Sequence, residues 1–248
     1  MAFELCVESV ESARVAERGG ADRAELCSQL RIGGVTPAME LIRATLGAVS
    51  IPVHVLVRPR GGDFVYSNEE FELLCRQTRE VKAAGAAGVV IGVLHEDGSV
   101  DVERTREVAK LAAPLRVTFH RAFDETKNQK EALEDVILTG ADLVLTSGGE
   151  ADVLTGAERI AALQQQAEGR IRIMAGGGLT VENAAEVARR TRIADFHGSL
   201  IRKEYRSQIW MPGERHSESA ERAPMGPVHL EDVQEMVSLL RGIADEIG

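Results

Sequence analysis

The segment from Arg116 to Asp124 joins a β-prone apolar run to side chains that can do proton chemistry. It reads Arg-Val-Thr-Phe-His-Arg-Ala-Phe-Asp, so a histidine, an arginine and an acid follow the apolar residues directly. In parallel α/β proteins, the side chains at the carboxyl ends of strands face the crevice that binds ligands. We therefore expect His120, Arg121 and Asp124 to belong to a functional site, with His120 as a general acid or base.

The elements that would position these side chains recur about eight times along the chain. Short β-branched runs alternate with longer amphipathic ones, which is typical of β/α units around a parallel sheet. The predicted strands are 3–8, 23–27, 52–58, 88–94, 115–120, 142–146, 170–175 and 194–197. Eight strands in 248 residues favour a single-domain (β/α)8 TIM barrel over 1–248. An open doubly wound sheet is the alternative, and it requires a reversal of strand order.

Helix signals agree with this alternation. Ser67 and Glu70 form a capping-box pattern, and Thr36-Pro37 predicts an N-cap followed by proline. A final helix is predicted from about 230 to 247, because apolar residues recur there at helical spacing. These residues are Val233, Met236, Val237, Leu240 and Ile243.

An irregular region at about 202–228 follows the eighth predicted strand. It is rich in charge, Pro, Gly and Ser, and it contains the single tryptophan, Trp210. A loop at this position lies over the ligand-binding face of a barrel, so it is predicted to be a lid or an oligomer contact. A mobile surface insertion is the alternative.

Composition restricts the class of protein. The chain has 44% hydrophobic residues and a net charge of -10, which argues against general nucleic-acid binding. It contains no run of about 18 apolar residues and no basic-then-hydrophobic amino terminus, so we expect a cytoplasmic protein without a membrane span. Three cysteines without an export signal predict reduced thiols rather than disulfides.

Alternation along the predicted strands places many polar side chains on one face of each strand. This set comprises Glu4, Cys6, Glu8, Glu25, Cys27, His54, Arg58, Thr118, His120, Asp195 and His197. If these faces point into the barrel, the buried charges need partners or a ligand. Glu25 is then a candidate general acid or base, and Arg58 a candidate for holding a charged ligand. Alternatively, Glu25 and Arg58 form a buried ion pair with each other.

Glycine-rich segments follow the last three predicted strands. Gly176, Gly177 and Gly178 come after strand seven, Gly198 and Ser199 after strand eight, and Ser147 after strand six. Loops at these positions in barrels often bind phosphate through backbone N–H groups. We therefore predict an anion site there, with Arg121 or Arg58 as the countercharge. The alternative is that the glycines only form tight turns.

Cys6 and Cys27 lie on adjacent predicted strands. Thiolates suit Cu(I) and zinc, so a copper site built from this pair is chemically reasonable. The alternative is that both are small buried hydrophobes. Cys75 lies on the apolar stripe of its predicted helix and is expected in the core.

Several longer motifs occur together in this order along the chain. They are Glu25-Leu26-Cys27, Gly33 to Pro37, Arg58 to Phe64, Thr118 to Asp124, Leu145 to Gly148 and the glycines at 176–178. With these motifs, the chain from about Phe3 to Lys203 resembles the CutC family. The resemblance implies a (β/α)8 barrel, a cytoplasmic homodimer and a role in copper homeostasis. It also implies Cu(I) binding, with Cys6 and Cys27 at the positions expected to offer thiols.

Two functional hypotheses follow. In the first, the protein binds Cu(I) through Cys6 and Cys27 without any need for catalysis. In the second, it is an enzyme that acts on a small phosphorylated or carboxylated metabolite. Glu25 or His120 would then transfer protons, while Arg58, Arg121 and the glycine loops would hold charge.

Overall fold

A closed barrel of eight parallel strands forms the centre of the protein, in a computed structural model that describes residues 1–202 and 226–247. The strands are β1 (Ala2–Val7), β2 (Arg23–Leu26), β3 (Val53–Leu56), β4 (Gly88–Ile91), β5 (Arg116–Phe119), β6 (Leu143–Thr146), β7 (Arg172–Gly176) and β8 (Asp195–Gly198). They pair in chain order, and β8 pairs with β1 to close the ring. The predicted TIM barrel is confirmed, and the open sheet is wrong.

Most of the predicted strands extend too far at their carboxyl ends. The run 52–58 contributes only Val53–Leu56 to the barrel, and 88–94 only Gly88–Ile91. The residues beyond the strands are still buried, for example Val57 and Val93, so their apolar character does not separate sheet from loop. The polar side chains that end these runs therefore belong to loops over the carboxyl end of the barrel, which we call the mouth.

Eight α-helices occur in the described ranges. They are α1 (Val10–Arg18), α2 (Met39–Leu46), α3 (Asn68–Ala84), α4 (Val102–Ala112), α5 (Gln129–Thr139), α6 (Ala157–Ala167), α7 (Val181–Thr191) and α8 (Leu230–Ile247). Short 3₁₀ turns cover Leu30–Ile32 and Arg121–Glu125. No helix within 1–202 or 226–247 has the length and apolar character needed to cross a membrane.

Of the two predicted helix N-caps, Ser67 is confirmed and Thr36 is wrong. Ser67 caps α3 and forms the expected capping box with Glu70. Thr36 is not an N-cap, because α2 begins at Met39 after Ala38. The Thr36 hydroxyl instead donates to the carbonyl oxygen of Arg58, which joins two loops of the mouth.

Helix α8 covers the barrel beside α7, α1 and β1. The predicted apolar stripe of α8 is buried. A Cβ added at Gly19, which follows α1, would lie 2.6 Å from the Cβ of Val233, so α8 packs closely against the end of α1. Most of the predicted loop at 202–228, including Trp210, lies outside the described residues. Its roles as a lid or an oligomer contact remain predictions.

The predicted inward faces meet inside the barrel. Apolar side chains fill part of the interior in two small clusters. These clusters contain Cys6, Cys27, Leu56 and Val90, and Leu143, Leu145 and Met174. Charged groups from β1, β2, β3 and β8 occupy the remaining space, which is an unusual filling for a barrel whose interior is ordinarily packed with branched apolar residues.

Candidate functional site

A cavity of about 230 Å³ opens at the mouth. Its polar wall is formed by Cys6, Glu25, Arg58, His120, Arg121, Glu125, His197 and Ser199. Its apolar wall includes Leu30, Leu56, Phe64, Leu145, Leu179 and Ile201. A concave space with a few convergent polar groups at the carboxyl ends of barrel strands is where ligands bind in this fold.

Glu4 is the centre of a buried charge network below the cavity. It is fully buried, and its carboxylate accepts from Arg23 Nε at 2.6 Å and lies 2.8 Å from His197 Nδ1. His54 Nδ1 lies 3.3 Å from the same carboxylate. Burial acts to raise the pKa of Glu4, but the hydrogen bond with His197, the nearby His54 and the charge of Arg23 hold that pKa well below its ordinary value. Glu4 is therefore an anion that orients His197.

Arg23 extends this network away from the mouth. Its Nη2 lies 3.2 Å from Asp195, and Asp195 pairs with Arg172 at 2.6 Å. Charges of alternating sign thus follow one another from Glu4 through Arg23 and Asp195 to Arg172, which compensates the buried groups.

Glu25 and His197 form the part of the network that reaches the cavity. The Glu25 Oε2 atom lies 3.9 Å from His197 Nδ1. Burial raises the pKa of Glu25 to about 7, although the positive charge of His197 opposes this shift. Burial would lower the pKa of His197, but Glu25 and Glu4 raise it well above its ordinary value. Glu25 and His197 thus favour each other's charged form, while burial opposes the charge on both.

Cys6 and Cys27 lie side by side on β1 and just after β2. Their sulfur atoms are 3.5 Å apart, and both side chains are buried. The contact with Cys27, burial and the charge of Glu25 raise the pKa of the Cys6 thiol well above its ordinary value. Cys6, Glu25 and His197 each offer one ligand atom, and these atoms lie within 4.8 Å of one another. Cys75 is buried on α3, as expected for a core residue.

His120 lines the cavity as a neutral imidazole. Its Nδ1 accepts from the backbone N–H of Ala122 at 3.1 Å, so Nε2 carries the ring hydrogen. Burial and the charge of Arg58 lower the pKa of His120 to about 3. This environment favours a hydrogen-bond donor over the predicted general acid or base.

Arg58 lines the cavity, but its guanidinium is hydrogen-bonded to the backbone of the surrounding loops. Its guanidinium donates to the carbonyl oxygens of Ile32, Gly34 and Gly62, at distances of 3.1, 2.9 and 2.6 Å. It also lies 4.7 Å over the Phe64 ring. Among the described residues it makes no ion pair with Glu25, so the alternative of a Glu25–Arg58 bridge is wrong. Arg58 positions two loops of the mouth.

Asp124 positions the loop after β6 rather than lining the cavity. Its carboxylate accepts from the Ser147 N–H, the Ser147 hydroxyl and the Gly149 N–H, and from Thr146. It also pairs with Arg121 Nε at 2.8 Å. Arg121 Nη2 donates in turn to Ser147 Oγ at 3.1 Å. Asp124 and Ser147 thus hold Arg121 at the edge of the cavity.

The glycines after β7 allow the backbone to approach Arg121. A Cβ at Gly177 would lie 2.9 Å from Arg121 Cζ, and the positive φ of +104° also favours glycine there. Gly177, Gly178, Gly198 and Ser199 line the cavity. Gly176 does not, because it belongs to β7, where a Cβ would lie 2.5 Å from Leu145.

Residue patterns did not identify the network around Glu4 as part of the site. Alternation placed Glu4, His54 and His197 on inward faces, but no short motif connects them. Glu4 and His197 meet because β1 pairs with β8, which opposes these two residues in register. The pairing of the first strand with the last, which a closed barrel requires, is therefore the feature from which the contact between Glu4 and His197 could be predicted.

Comparison with known proteins gives consistent matches. The CutC family model matches residues 1–202. A human protein named copper homeostasis protein cutC homolog is 47% identical over 197 residues, which cover 79% of this chain and 72% of that protein. A CutC family protein of Chromobacterium violaceum is 43% identical over 79% of this chain and 80% of its own length. The crystal structure of a CutC protein from Streptococcus agalactiae superposes with a TM-score of 0.77 at 29% identity, covering 82% of this chain and all of that one.

Proposed function

The chain belongs to the CutC family, and we propose that it serves copper homeostasis by binding Cu(I) through Cys6 and Cys27. One observation carries the proposal, namely that the two sulfur atoms lie 3.5 Å apart inside the barrel. Soft thiolate ligands select Cu(I) over harder cations. The surrounding side chains of Leu30, Leu56 and Val90 are apolar, which favours a dry site for a soft ion.

We infer that His197 would serve as a third ligand. Cys6 and Cys27 would hold the ion through their two sulfur atoms. His197 would add a nitrogen donor from the Cys6 side, because its ligand atom, that of Glu25 and the Cys6 sulfur lie within 4.8 Å of one another. Glu4 holds the Nδ1 side of His197, as carboxylates do behind many metal-binding histidines. Cys6, Cys27 and His197 would bind the ion as deprotonated thiols and a neutral imidazole, so these groups would give up their protons.

Cu(I) titration of the reduced protein against a chromogenic competitor tests this function. We expect one Cu(I) per chain, and an affinity at least about 100-fold lower in Cys27→Ser, because the variant loses a soft ligand. Cys75→Ser is the matched control, since that thiol lies on α3 and should leave the affinity unchanged. Equal affinity of Cys27→Ser and the wild type would remove the thiol pair from the proposal.

A second function is supported by the surroundings of Arg121. Within the described part of the chain, its Nη1 has no hydrogen-bond partner, and it lies beside the backbone of Gly177 at the cavity. We therefore also propose that the mouth binds the anionic group of a small phosphorylated or carboxylated metabolite. An arginine fixed by a carboxylate and facing a glycine loop is suited to this role.

Inorganic phosphate is the simplest probe of this anion site. We expect phosphate to raise the melting temperature of the wild type, because a ligand that binds the native state stabilises it. Arg121→Gln should weaken phosphate binding by roughly tenfold or more, since a charge-assisted hydrogen bond is lost. Arg170→Gln is the control, because Arg170 is exposed and paired with Glu134. Unchanged phosphate affinity in Arg121→Gln would exclude Arg121 as the countercharge.

A further inference from the structure

The Nε2 atom of His120 is a buried donor with no acceptor among the described residues. The side chain is only 6% exposed, and it forms part of the cavity wall. A buried donor without a partner costs free energy, so natural proteins rarely keep one without a reason. Copper binding at Cys6 and Cys27 does not use this atom.

The donor has a fixed identity. Because Nδ1 accepts from the Ala122 N–H, the hydrogen must be on Nε2, and the ring cannot exchange the two roles without losing that bond. The low pKa of His120 means that the ring stays neutral near pH 7. Nε2–H can therefore donate to the oxygen of a ligand while the ring remains neutral.

The donor also has a fixed direction. The ring packs against Phe64 with 4.8 Å between centroids. On another side, a Cβ added at Gly92 would lie only 2.4 Å from His120 Cε1, so the backbone of Gly92 contacts the ring closely. These contacts and the Ala122 hydrogen bond fix the ring, which is the preorganisation expected of a binding group.

We propose that the mouth binds a small oxo acid, whose carbonyl oxygen accepts from His120 Nε2–H and whose carboxylate faces Arg121. A carbonyl oxygen is an acceptor only, so it satisfies the donor without bringing another buried hydrogen that needs a partner. Arg121 follows His120 directly in the chain and lines the same cavity. Leu145, Leu179 and Ile201 supply apolar surface for a short carbon chain.

This proposal rests on the anion site proposed above and names its ligand class. A neutral imidazole that donates to a carbonyl oxygen polarises the carbonyl without transferring a proton. The cavity of about 230 Å³ is smaller than the pockets of drug-sized ligands, which fits a compact metabolite.

Pyruvate and propionate form a matched pair of probes, because they share chain length and carboxylate and differ in the carbonyl oxygen. We expect the full-length wild type to bind pyruvate roughly tenfold more tightly than propionate by calorimetry. His120→Asn keeps an acceptor for the Ala122 N–H but does not extend to the Nε2 position, so this preference should disappear. His120→Gln places an amide donor near that position and should restore part of it.

Each outcome has a separate meaning. Equal affinity for pyruvate and propionate in the wild type would overturn the role of His120 and leave the anion site standing. Absence of binding of both probes at about 10 mM would overturn the oxo-acid proposal, whereas the phosphate titration decides separately whether the anion site stands. Retention of the pyruvate preference in a folded His120→Asn variant would also exclude His120. If His120→Asn does not fold, the wild-type comparison and His120→Gln decide the question.

Discussion

Replacing Glu4 by leucine is expected to lower the free energy of unfolding by about 3–5 kcal/mol. Glu4 is fully buried and faces Arg23, His54 and His197. Leucine fills a similar volume but offers no acceptor, so it leaves a buried guanidinium and two histidines with fewer partners. The cost arises mainly from these uncompensated groups rather than from the lost attraction alone.

Urea unfolding of Glu4→Leu and of Glu134→Leu measures this effect against a matched control. Glu134 also pairs with an arginine, Arg170, at 2.6 Å, but both side chains are exposed. Exposed ion pairs are screened by water and contribute little to stability, so the free energy of unfolding of Glu134→Leu should equal that of the wild type. A loss below about 1 kcal/mol in Glu4→Leu would mean that the network around Glu4 does not stabilise the barrel.

Replacing Gly156 by alanine is expected to lower the free energy of unfolding by about 3 kcal/mol. A Cβ at this position would lie 1.8 Å from the carbonyl oxygen of Ser147 and 3.2 Å from Gly148 Cα, and backbone cannot move away as a flexible side chain can. The loop after β6 must therefore shift, together with Ser147 and its partner Asp124. We expect weaker phosphate binding as well, because these residues hold Arg121.

Gly242→Ala is the matched control for this substitution. Gly242 lies within α8, and a Cβ there would meet no atom within 4 Å. Alanine is the better helix former by about 1 kcal/mol, so this variant should be slightly more stable than the wild type. If Gly156→Ala is as stable as Gly242→Ala, the close contact with Ser147 does not limit the loop.

The fold followed from local patterns because each unit of the barrel carries its own signals. The capping box at Ser67 and the apolar stripe of α8 depend on residues only a few positions apart. Alternation also placed Glu4, Glu25 and His197 on inward faces. Strand ends were less accurate, because buried loop residues such as Val57 are as apolar as strand residues.

The contacts inside the site depend on geometry that local patterns do not contain. Glu4 and His197 are 193 positions apart and meet only through the β1–β8 register. Arg58 was expected to hold a ligand or to pair with Glu25, but its partners are backbone carbonyl oxygens. Every residue carries a carbonyl, so residue types cannot reveal such a choice. His120 lies at the mouth as predicted, but its role depends on which of its ring nitrogens accepts the hydrogen bond from the Ala122 N–H.

X-ray absorption at the copper edge of the Cu(I)-loaded, reduced protein tests the proposed copper site most directly. We expect two sulfur scatterers at about 2.3 Å and one nitrogen scatterer from His197, with one sulfur lost in Cys27→Ser. The spectrum of Cys75→Ser should match that of the wild type. Copper surrounded only by nitrogen and oxygen, or a spectrum unchanged in Cys27→Ser, would show that Cys6 and Cys27 do not bind the metal.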